Sequence, residues 1–458
     1  MNHVSINLAQ PQAPQGDGGN PSFAIPLGGF FVESAQILLY FSPFSKGFLW
    51  FFPFFFVQFL EIALIGTVYP SPADKNSIPP GGLQIASNRA IIKPSYKEDE
   101  VHLMHMADAL LAPAVAATMY AASAVTVGAS VKTLKKDENL EKLPTMAVAS
   151  ALVFAGQMVN YTIPGTGSSG HLCGGMMLTA LLGPQAGFLS MVVILAIQSL
   201  FFADGGILAL GANCWNMAFY GCFVGYYLLW KPILRSKLFG SFGTKAATRI
   251  KISLASVLGC MITLQLGAFS VVLETSLSGI TELPFGAFVS IMQPIHLAIG
   301  LIEGLITSAV LVFIYEARPE LLMDVNTSDA AVQSKYSLKT TIVILAVVVA
   351  IVGGGISLLA SGNPDGLEWS MFGNAESGYS ENMGLNEEDY GISSGAAEVA
   401  GSIQEKTAFL PDYAFAGSDS AAGTTVSGLV GSAIVAGVAV LICMAGGFFR
   451  KKKGAAKA

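Results

Sequence analysis

Charged residues are scarce in this 458-residue chain: Asp, Glu, Lys and Arg make up only 12%, whereas 53% of the residues are hydrophobic. A soluble protein carries about 25% charged residues, so the composition excludes an ordinary soluble protein. The mean hydropathy of +0.60 points the same way. The sequence therefore predicts an all-α polytopic membrane protein, with several passes through the cell membrane.

Two motifs are also missing. The chain contains no GxxxxGK[ST] phosphate-binding loop and no CxxC pair. Without such a loop, we do not expect the chain to hydrolyse ATP itself. Its five cysteines all lie in apolar runs, where we expect small packing residues and not disulfides. They are Cys173, Cys214, Cys222, Cys260 and Cys443.

Nine apolar stretches predict helices, since a bilayer span needs about 20 largely apolar residues. They lie near 109–131, 146–162, 171–183, 187–204, 208–230, 252–275, 291–316, 338–360 and 426–448. The third stretch is short, and only a few residues around Gly183-Pro184 separate it from the fourth. We therefore expect the third stretch to be bent or partly re-entrant.

Basic residues predict the orientation. If the spans alternate, these residues all fall on one side, which is then the cytoplasm. They are Lys132, Lys135, Lys136, Lys142, Lys231, Arg235, Lys237, Lys245, Arg249, Lys251 and the run from Arg450 to Lys453. Segment 361–425, on the outer side, holds eleven acidic residues and one basic residue, a net charge of −10 against −6 for the whole chain. Such a loop can concentrate cations, although a merely solvated loop is an equal alternative.

Histidine is rare too, with five in the chain, and two of them lie in short polar breaks between apolar segments. His105 lies within Met104-His105-Met106, and His171 follows the glycine- and serine-rich run 164–170. The predicted topology places both on the outer face. Imidazole is a preferred ligand of Ni(II), Co(II), Cu(II) and Zn(II), and ionisable groups at membrane depth are functional candidates. The alternative is two ordinary polar residues at helix ends.

A histidine directly after a free N-terminal residue has a specific chemistry. The terminal amine of Met104, the intervening amide nitrogen and the His105 imidazole would form fused chelate rings in one plane, and His171 would add a fourth nitrogen. Planar nitrogen coordination favours Ni(II) or Cu(II) and accommodates low-spin Co(II), whereas Zn(II) prefers a tetrahedron. The sequence thus predicts a metal site of Met104, His105 and His171.

Several polar residues near the predicted span ends are candidates for hydrogen bonds to these ligands. They are Asp108, Asn160, Asp204 and Asn213. Hydrogen bonds between helices are the alternative for Asn160, Asp204 and Asn213, and a helix cap is the alternative for Asp108. His296 and Glu303 lie on one helical face, where we expect packing or partner contact.

The sequence around these residues resembles the CbiM/NikM family, the substrate-binding membrane components of energy-coupling-factor (ECF) cobalt and nickel transporters. The resemblance covers residues 104–322. It rests on MHMADALL from Met104, IPGTGSSGHL from Ile163, QSLFFADGG from Gln198, LALGANCWNM from Leu208, EGLIT from Glu303 and RPEL from Arg318. NPDGLE from Asn363 and FLPDY from Phe409 resemble the PDGLE domain, an accessory component often fused behind this family.

The resemblance implies a seven-helix metal-capture bundle in 104–322, a cytoplasmic linker in 323–337, and an accessory domain in 338–458 with two helices and an outer acidic loop. It implies that Met104, through its amine, His105 and His171 bind the transported Co(II) or Ni(II), with no permanently bound cofactor and no nucleic acid. It also implies partners: a transmembrane coupling subunit (CbiQ/NikQ-like) and two ATPase subunits (CbiO/NikO-like).

Residues 1–103 depart from the family pattern. With Leu103 attached, the nitrogen of Met104 is an ordinary amide and the terminal chelate cannot form. Our hypothesis is that the functional chain starts at Met104 and that 1–103 is an upstream misreading or is removed. Otherwise His102 and His105 are the nearest alternative imidazole pair.

Two other functions compete with the importer subunit. One is a stand-alone metal channel or carrier, and the other is a membrane metalloenzyme, for which Asp108 is the nearby candidate base. The sequence does not choose between Ni(II) and Co(II), since both fit the same nitrogen ligands.

Overall fold

The computed structural model describes residues 105–134, 143–237, 239–240, 244–279, 284–326, 334–374, 394–415 and 420–455. The predictions for 1–103, including His102, and for Met104 lie outside the described residues.

Seven helices follow one another between residues 113 and 317, in the order that the apolar stretches predict. They are α1 (Pro113–Leu134), α2 (Leu143–Gln157), α3 (Gly175–Leu182), α4 (Pro184–Phe202), α5 (three consecutive segments, Leu210–Asn213, Cys214–Trp230 and Lys231–Arg235), α6 (Thr244–Ser278) and α7 (Phe285–Ala317). The middle segment of α5 has π-helical hydrogen bonds, so that the N–H of Lys231, directly after it, donates to the carbonyl oxygen of Tyr226. Trp230, Phe154 and Phe188 are fully buried in the core between these helices.

The predicted all-α fold is confirmed, with one small addition among the described residues. A small antiparallel hairpin joins α2 to α3, with strands β1 (Tyr161–Ile163) and β2 (Ser168–Gly170). The helix predicted over 146–162 ends at Gln157 instead. The β-branched pair before Pro164 favours extended backbone, and the proline cannot continue a helix. Gly165 and Gly167 adopt positive φ in the turn.

Helix α3 is short, as the sequence predicts. Its eight residues are all buried, and so short a helix cannot cross a bilayer by itself. Gly183, at φ +82, separates it from α4, which begins at Pro184. The break at Gly183 lets the chain turn, so that α3 and α4 pack against each other.

The C-terminal part of the chain adds α8 (Leu338–Gly354), α9 (Gly366–Phe372), α10 (Gly395–Thr407) and α11 (Ala421–Ala455). Helices α8 and α11 are the two predicted long helices, and both pack on α2. Gly353 and Gly428 allow their close contact, since a Cβ on Gly428 would lie 1.8 Å from the carbonyl oxygen of Gly353. The described parts of the acidic segment between them form α9, α10 and a single turn, Pro411–Tyr413.

Six helices among the described residues are long and apolar enough to cross a membrane. They are α1, α4, α6, α7, α8 with the turn that follows it, and α11. The shorter apolar helix α2 and the continuous α5 lie among them. The basic residues Lys132, Arg235 and Lys245 lie at or beside the helix ends opposite the hairpin.

Candidate metal-binding site

The segment before α1, from His105 onward, packs inside the bundle next to the start of α5. The backbone N–H of Met106 donates to Oδ1 of Asn213 at 3.2 Å, and Nδ2 of Asn213 donates to the carbonyl oxygen of Met106 at 3.1 Å. The N–H of Gly206 donates to the same carbonyl at 3.1 Å. Leu110 and Leu111 of the same segment are buried. These contacts hold His105 inside the protein.

His105 is only 5% exposed. Its Nδ1 lies 2.7 Å from Oδ1 of Asp204, while its Nε2 is buried and has no hydrogen-bond partner. A carboxylate only accepts hydrogen bonds, so a neutral His105 carries its hydrogen on Nδ1 and its lone pair on Nε2. A buried polar atom without a partner is costly, and metal coordination would satisfy it.

His171 is the neighbour of His105. The two ring centroids are 5.2 Å apart, with the rings inclined by 67°. Nδ1 of His171 lies 3.1 Å from the carbonyl oxygen of Leu172, which assigns the hydrogen to Nδ1 and the lone pair to Nε2. Two imidazoles on one metal ion, with metal–nitrogen bonds of about 2.1 Å, have centroids roughly 4.5–6.4 Å apart, depending on the angle at the metal. The spacing fits a shared metal ion.

A buried carboxylate holds the chain that carries His171. Glu303 of α7 is 1% exposed and accepts hydrogen bonds from the N–H of Cys173 at 3.1 Å and of Gly174 at 2.9 Å. Gly174 adopts φ +82 just before α3, and a Cβ there would lie 2.3 Å from Val153. The direction of the chain after His171 is therefore set by Glu303 and by the absence of a side chain at Gly174.

Asp204 connects His105 to the C-terminal part of the chain. Its Oδ1 contacts His105, and its Oδ2 accepts a 2.5 Å hydrogen bond from the hydroxyl of Tyr413. Nε2 of Gln198 in turn donates to the Tyr413 oxygen at 3.1 Å. Burial alone would raise the pKa of Asp204, but His105 and Tyr413 outweigh it and hold the pKa below its usual value. The carboxylate therefore stays charged beside His105.

Two other predicted residues lie around this site without contacting His105 through a described hydrogen bond. Oδ1 of Asp108 accepts from the N–H of Ala209 at 3.0 Å, and a Cβ on Gly206 would lie 1.8 Å from that oxygen. Burial raises the pKa of Asp108, against the backbone donors of the same turn. The carbonyl oxygen of Asn160 accepts from the N–H of Ser361. Asp108 thus holds the 207–209 turn, and Asn160 holds the C-terminal segment.

A cavity of about 110 Å³ opens beside the imidazole pair. Its polar lining residues include His105, His171, Asn213, His296 and Asp365. Within the part of the chain that the structure describes, no group of three or more His, Cys, Asp or Glu side chains is arranged to hold a metal ion. The predicted ligand Met104 lies outside that part, so the full ligand set stays a prediction.

Three residues of this region carry a weak signal in the sequence. The spacing of His296 and Glu303 places them on one face of α7, but it does not show that this face meets the cavity and the chain after His171. Tyr413 lies in the FLPDY motif, more than 200 residues from its partner Asp204. Only the folded chain brings these residues together.

The fold defines a multi-pass membrane protein with a buried pair of imidazoles, and comparisons with known proteins give its family. Residues 105–321 match the family model for the cobalt uptake substrate-specific transmembrane region, CbiM. Residues 339–446 match the PDGLE domain.

Three relatives cover much of the chain. A putative fused nickel transport protein NikMN of Archaeoglobus fulgidus is 34% identical over 72% of this chain and 95% of its own length. The fused nickel transport protein NikMN of Rhodobacter capsulatus is 30% identical over 73% and 96%. The cobalt transport protein CbiM of Geobacter sulfurreducens is 26% identical over 57% and 73%. A crystal structure of a truncated transition metal transporter is 32% identical, covers 46% of this chain and 98% of that one, and superposes with a TM-score of 0.40.

The chain belongs to the CbiM family and carries a PDGLE domain fused behind the CbiM-like bundle. It is a component of a metal transporter and not an enzyme, as predicted.

Proposed function

We propose that this chain is the substrate-specific membrane component of an ATP-driven ECF-type importer, which captures Ni(II) or Co(II) from the outer face. The observation that carries the proposal is the pair His105 and His171, with Nε2 of His105 buried and unpartnered. The fused relatives are named as nickel transport proteins and the CbiM relative as a cobalt transport protein, so either ion remains a candidate.

The orientation rests on the basic residues. Lys132, Arg235 and Lys245 lie at or beside the helix ends opposite the imidazole pair. An excess of Lys and Arg is typical of the cytoplasmic side, and this supports an outer-face position for His105 and His171. Metal would then enter from the side on which it arrives.

The proposed ligands are the amine of Met104, the amide nitrogen and imidazole of His105, and His171. A chelate ring that includes the amide nitrogen of His105 closes through Nδ1. In this structure Nδ1 lies 2.7 Å from Asp204, so His105 must leave Asp204 and turn for this chelate to form. Without the chelate, the metal would bind through Nε2 of each imidazole. A free amine at Met104 would favour the chelate, whereas an amide at Met104 would favour the imidazole pair.

ATP-driven transport requires partners, because the sequence contains no phosphate-binding loop. We propose a CbiQ/NikQ-like transmembrane coupling subunit and two CbiO/NikO-like ATPase subunits.

The decisive experiment measures uptake of Ni(II) and Co(II) in cells that co-express the chain with these partners. We expect His171→Ala to abolish accumulation and Tyr315→Phe, which alters a buried tyrosine at the opposite end of α7, to leave it intact. If neither metal accumulates above the His171→Ala level, the assignment fails.

Two further arms separate the alternatives. Uptake that persists without the coupling and ATPase subunits would identify a stand-alone channel or carrier. N-terminal sequencing of the membrane-extracted protein tests the proposed amine ligand, since an intact Met1 terminus in active protein would exclude it.

A further inference from the structure

A third imidazole lines the cavity beside the pair. Nδ1 of His296, on α7, lies 2.8 Å from the carbonyl oxygen of Met292. Because a carbonyl only accepts, Nδ1 carries the hydrogen and Nε2 carries the lone pair. His296 therefore presents a metal-binding nitrogen on a side chain that the CbiM-like bundle supplies.

The accessory domain supplies a carboxylate to the same cavity. Asp365 is 9% exposed, and its Oδ1 accepts hydrogen bonds of 2.8 Å from the N–H of Leu367 and of Glu368. These bonds fix Asp365 as the cap of α9. Both Asp365 and His296 line the cavity that His105 and His171 also line.

Gly366, the residue after Asp365, lies against the edge of the His296 ring. A Cβ on Gly366 would lie 2.9 Å from Cε1 and 3.3 Å from Nε2 of His296. The ring edge that carries the lone pair thus faces the turn that carries the carboxylate. The turn around Asp365 is also held by the hairpin, since the N–H of Ser169 in β2 donates to the carbonyl oxygen of Pro364 at 2.8 Å.

The charge around this turn favours a cation. No lysine or arginine is among the residues that line the cavity. Imidazole with carboxylate is a ligand pair that first-row divalent metals accept.

We propose that Asp365 and His296 form a second, weaker metal site at the boundary of the two domains, where an incoming Ni(II) or Co(II) ion is held before it passes to His105 and His171. Water would complete the coordination, because the protein supplies only two ligands. This inference rests on the proposed function, since it needs a tight site at the imidazole pair.

The experiment measures Ni(II) binding to the purified full-length chain by equilibrium dialysis, and loading of the tight site by rapid mixing. Asp365→Asn keeps an oxygen that can cap α9 but removes the charge, and His296→Gln removes the imidazole from the other domain. Glu405→Gln, on α10, is the matched control, since it makes the same charge change on the accessory domain at a residue that does not line the cavity.

We expect one tight and one weak Ni(II) equivalent in the wild type and in Glu405→Gln. Asp365→Asn and His296→Gln should each lose the weak equivalent and keep the tight one, with loading of the tight site slowed by about tenfold, at the low end of electrostatic steering effects. His171→Ala should lose the tight equivalent and keep the weak one.

A weak equivalent that survives in both Asp365→Asn and His296→Gln, or a wild type that binds a single tight equivalent, would overturn the second site alone. Tight binding that is unchanged in His171→Ala would overturn the proposed function instead. A wild type that binds no Ni(II) would overturn both.

Discussion

The hydrogen bond from Tyr413 to Asp204 is expected to support the metal site from the accessory domain. Tyr413→Phe removes the hydroxyl that donates to Oδ2 at 2.5 Å and keeps the ring, which stacks on Phe202 at a centroid distance of 4.9 Å. The change therefore isolates one hydrogen bond without opening a cavity. It leaves one oxygen of a buried carboxylate without that donor.

The magnitude follows from the charge on Asp204. A hydrogen bond to a charged group contributes about 1.5–3 kcal/mol, and we expect the free energy of unfolding of the metal-free protein to fall by about that amount. Metal affinity changes only by the part of the loss that differs between the metal-free and metal-bound forms. Removing a partner that orients a metal-ligating histidine typically costs about 10–100-fold in affinity, and we expect about tenfold if the metal binds through Nε2 of His105 while Nδ1 stays on Asp204. In the chelate through Nδ1, His105 leaves Asp204, and Tyr413→Phe should then leave the metal affinity nearly unchanged.

The assay is a Ni(II) titration of purified protein alongside thermal unfolding with and without metal. Tyr315→Phe is the control, because Tyr315 is also buried but lies at the far end of α7. Metal affinity within about twofold of wild type in Tyr413→Phe, with stability reduced as in the control, would refute the role of Tyr413 in supporting His105.

Three further outcomes follow from contacts around the site. Glu303→Ala leaves two buried N–H groups at the start of α3 unpaired, which should lower the free energy of unfolding by about 1–3 kcal/mol per group and weaken Ni(II) binding; unchanged thermal unfolding would contradict this. Gly206→Ala places a methyl group against Asp108 and should impair Ni(II) binding in a folded protein, measured by dialysis; wild-type affinity would show that the turn tolerates the shift. Asp324→Asn weakens the contact with Arg235, at the end of the bundle opposite the imidazole pair. It should lower the free energy of unfolding by about 1 kcal/mol and leave Ni(II) affinity unchanged. A loss of Ni(II) affinity would mean that the two ends of the bundle are coupled.

The helices of the bundle could be predicted from the sequence because each apolar stretch is a local signal. The short third helix was also predictable, since Gly183 and Pro184 interrupt the apolar run where α3 ends. The hairpin was not, because strands of three residues are too short to show alternation. Its serines and glycines predict only a loop.

The contacts of the candidate site could be predicted only in part. A histidine next to Met104 and a second one after a glycine-rich run suggest metal ligands by their chemistry, without showing that they meet. Their distance depends on how the segment before α1 enters the bundle, and this is set by pairing of Met106 with Asn213, 107 residues away. Helical spacing predicts the face of α7 on which Glu303 lies. It does not predict which residues pack against that face.

Asp204 explains how the accessory domain and the metal ligand depend on each other. One carboxylate oxygen contacts His105 and the other accepts from Tyr413, so the same buried charge is satisfied from both domains. If Tyr413 of the accessory domain moved away from Asp204, the buried carboxylate would lose a hydrogen-bond donor. The contact between Asp204 and His105 would then weaken. Because coupling between two binding events is reciprocal, a metal ion that prefers His105 in its present position would strengthen the docking of Tyr413 by the same free energy. A fused accessory domain is well placed for this coupling, since the covalent link keeps Tyr413 at a high effective concentration near Asp204.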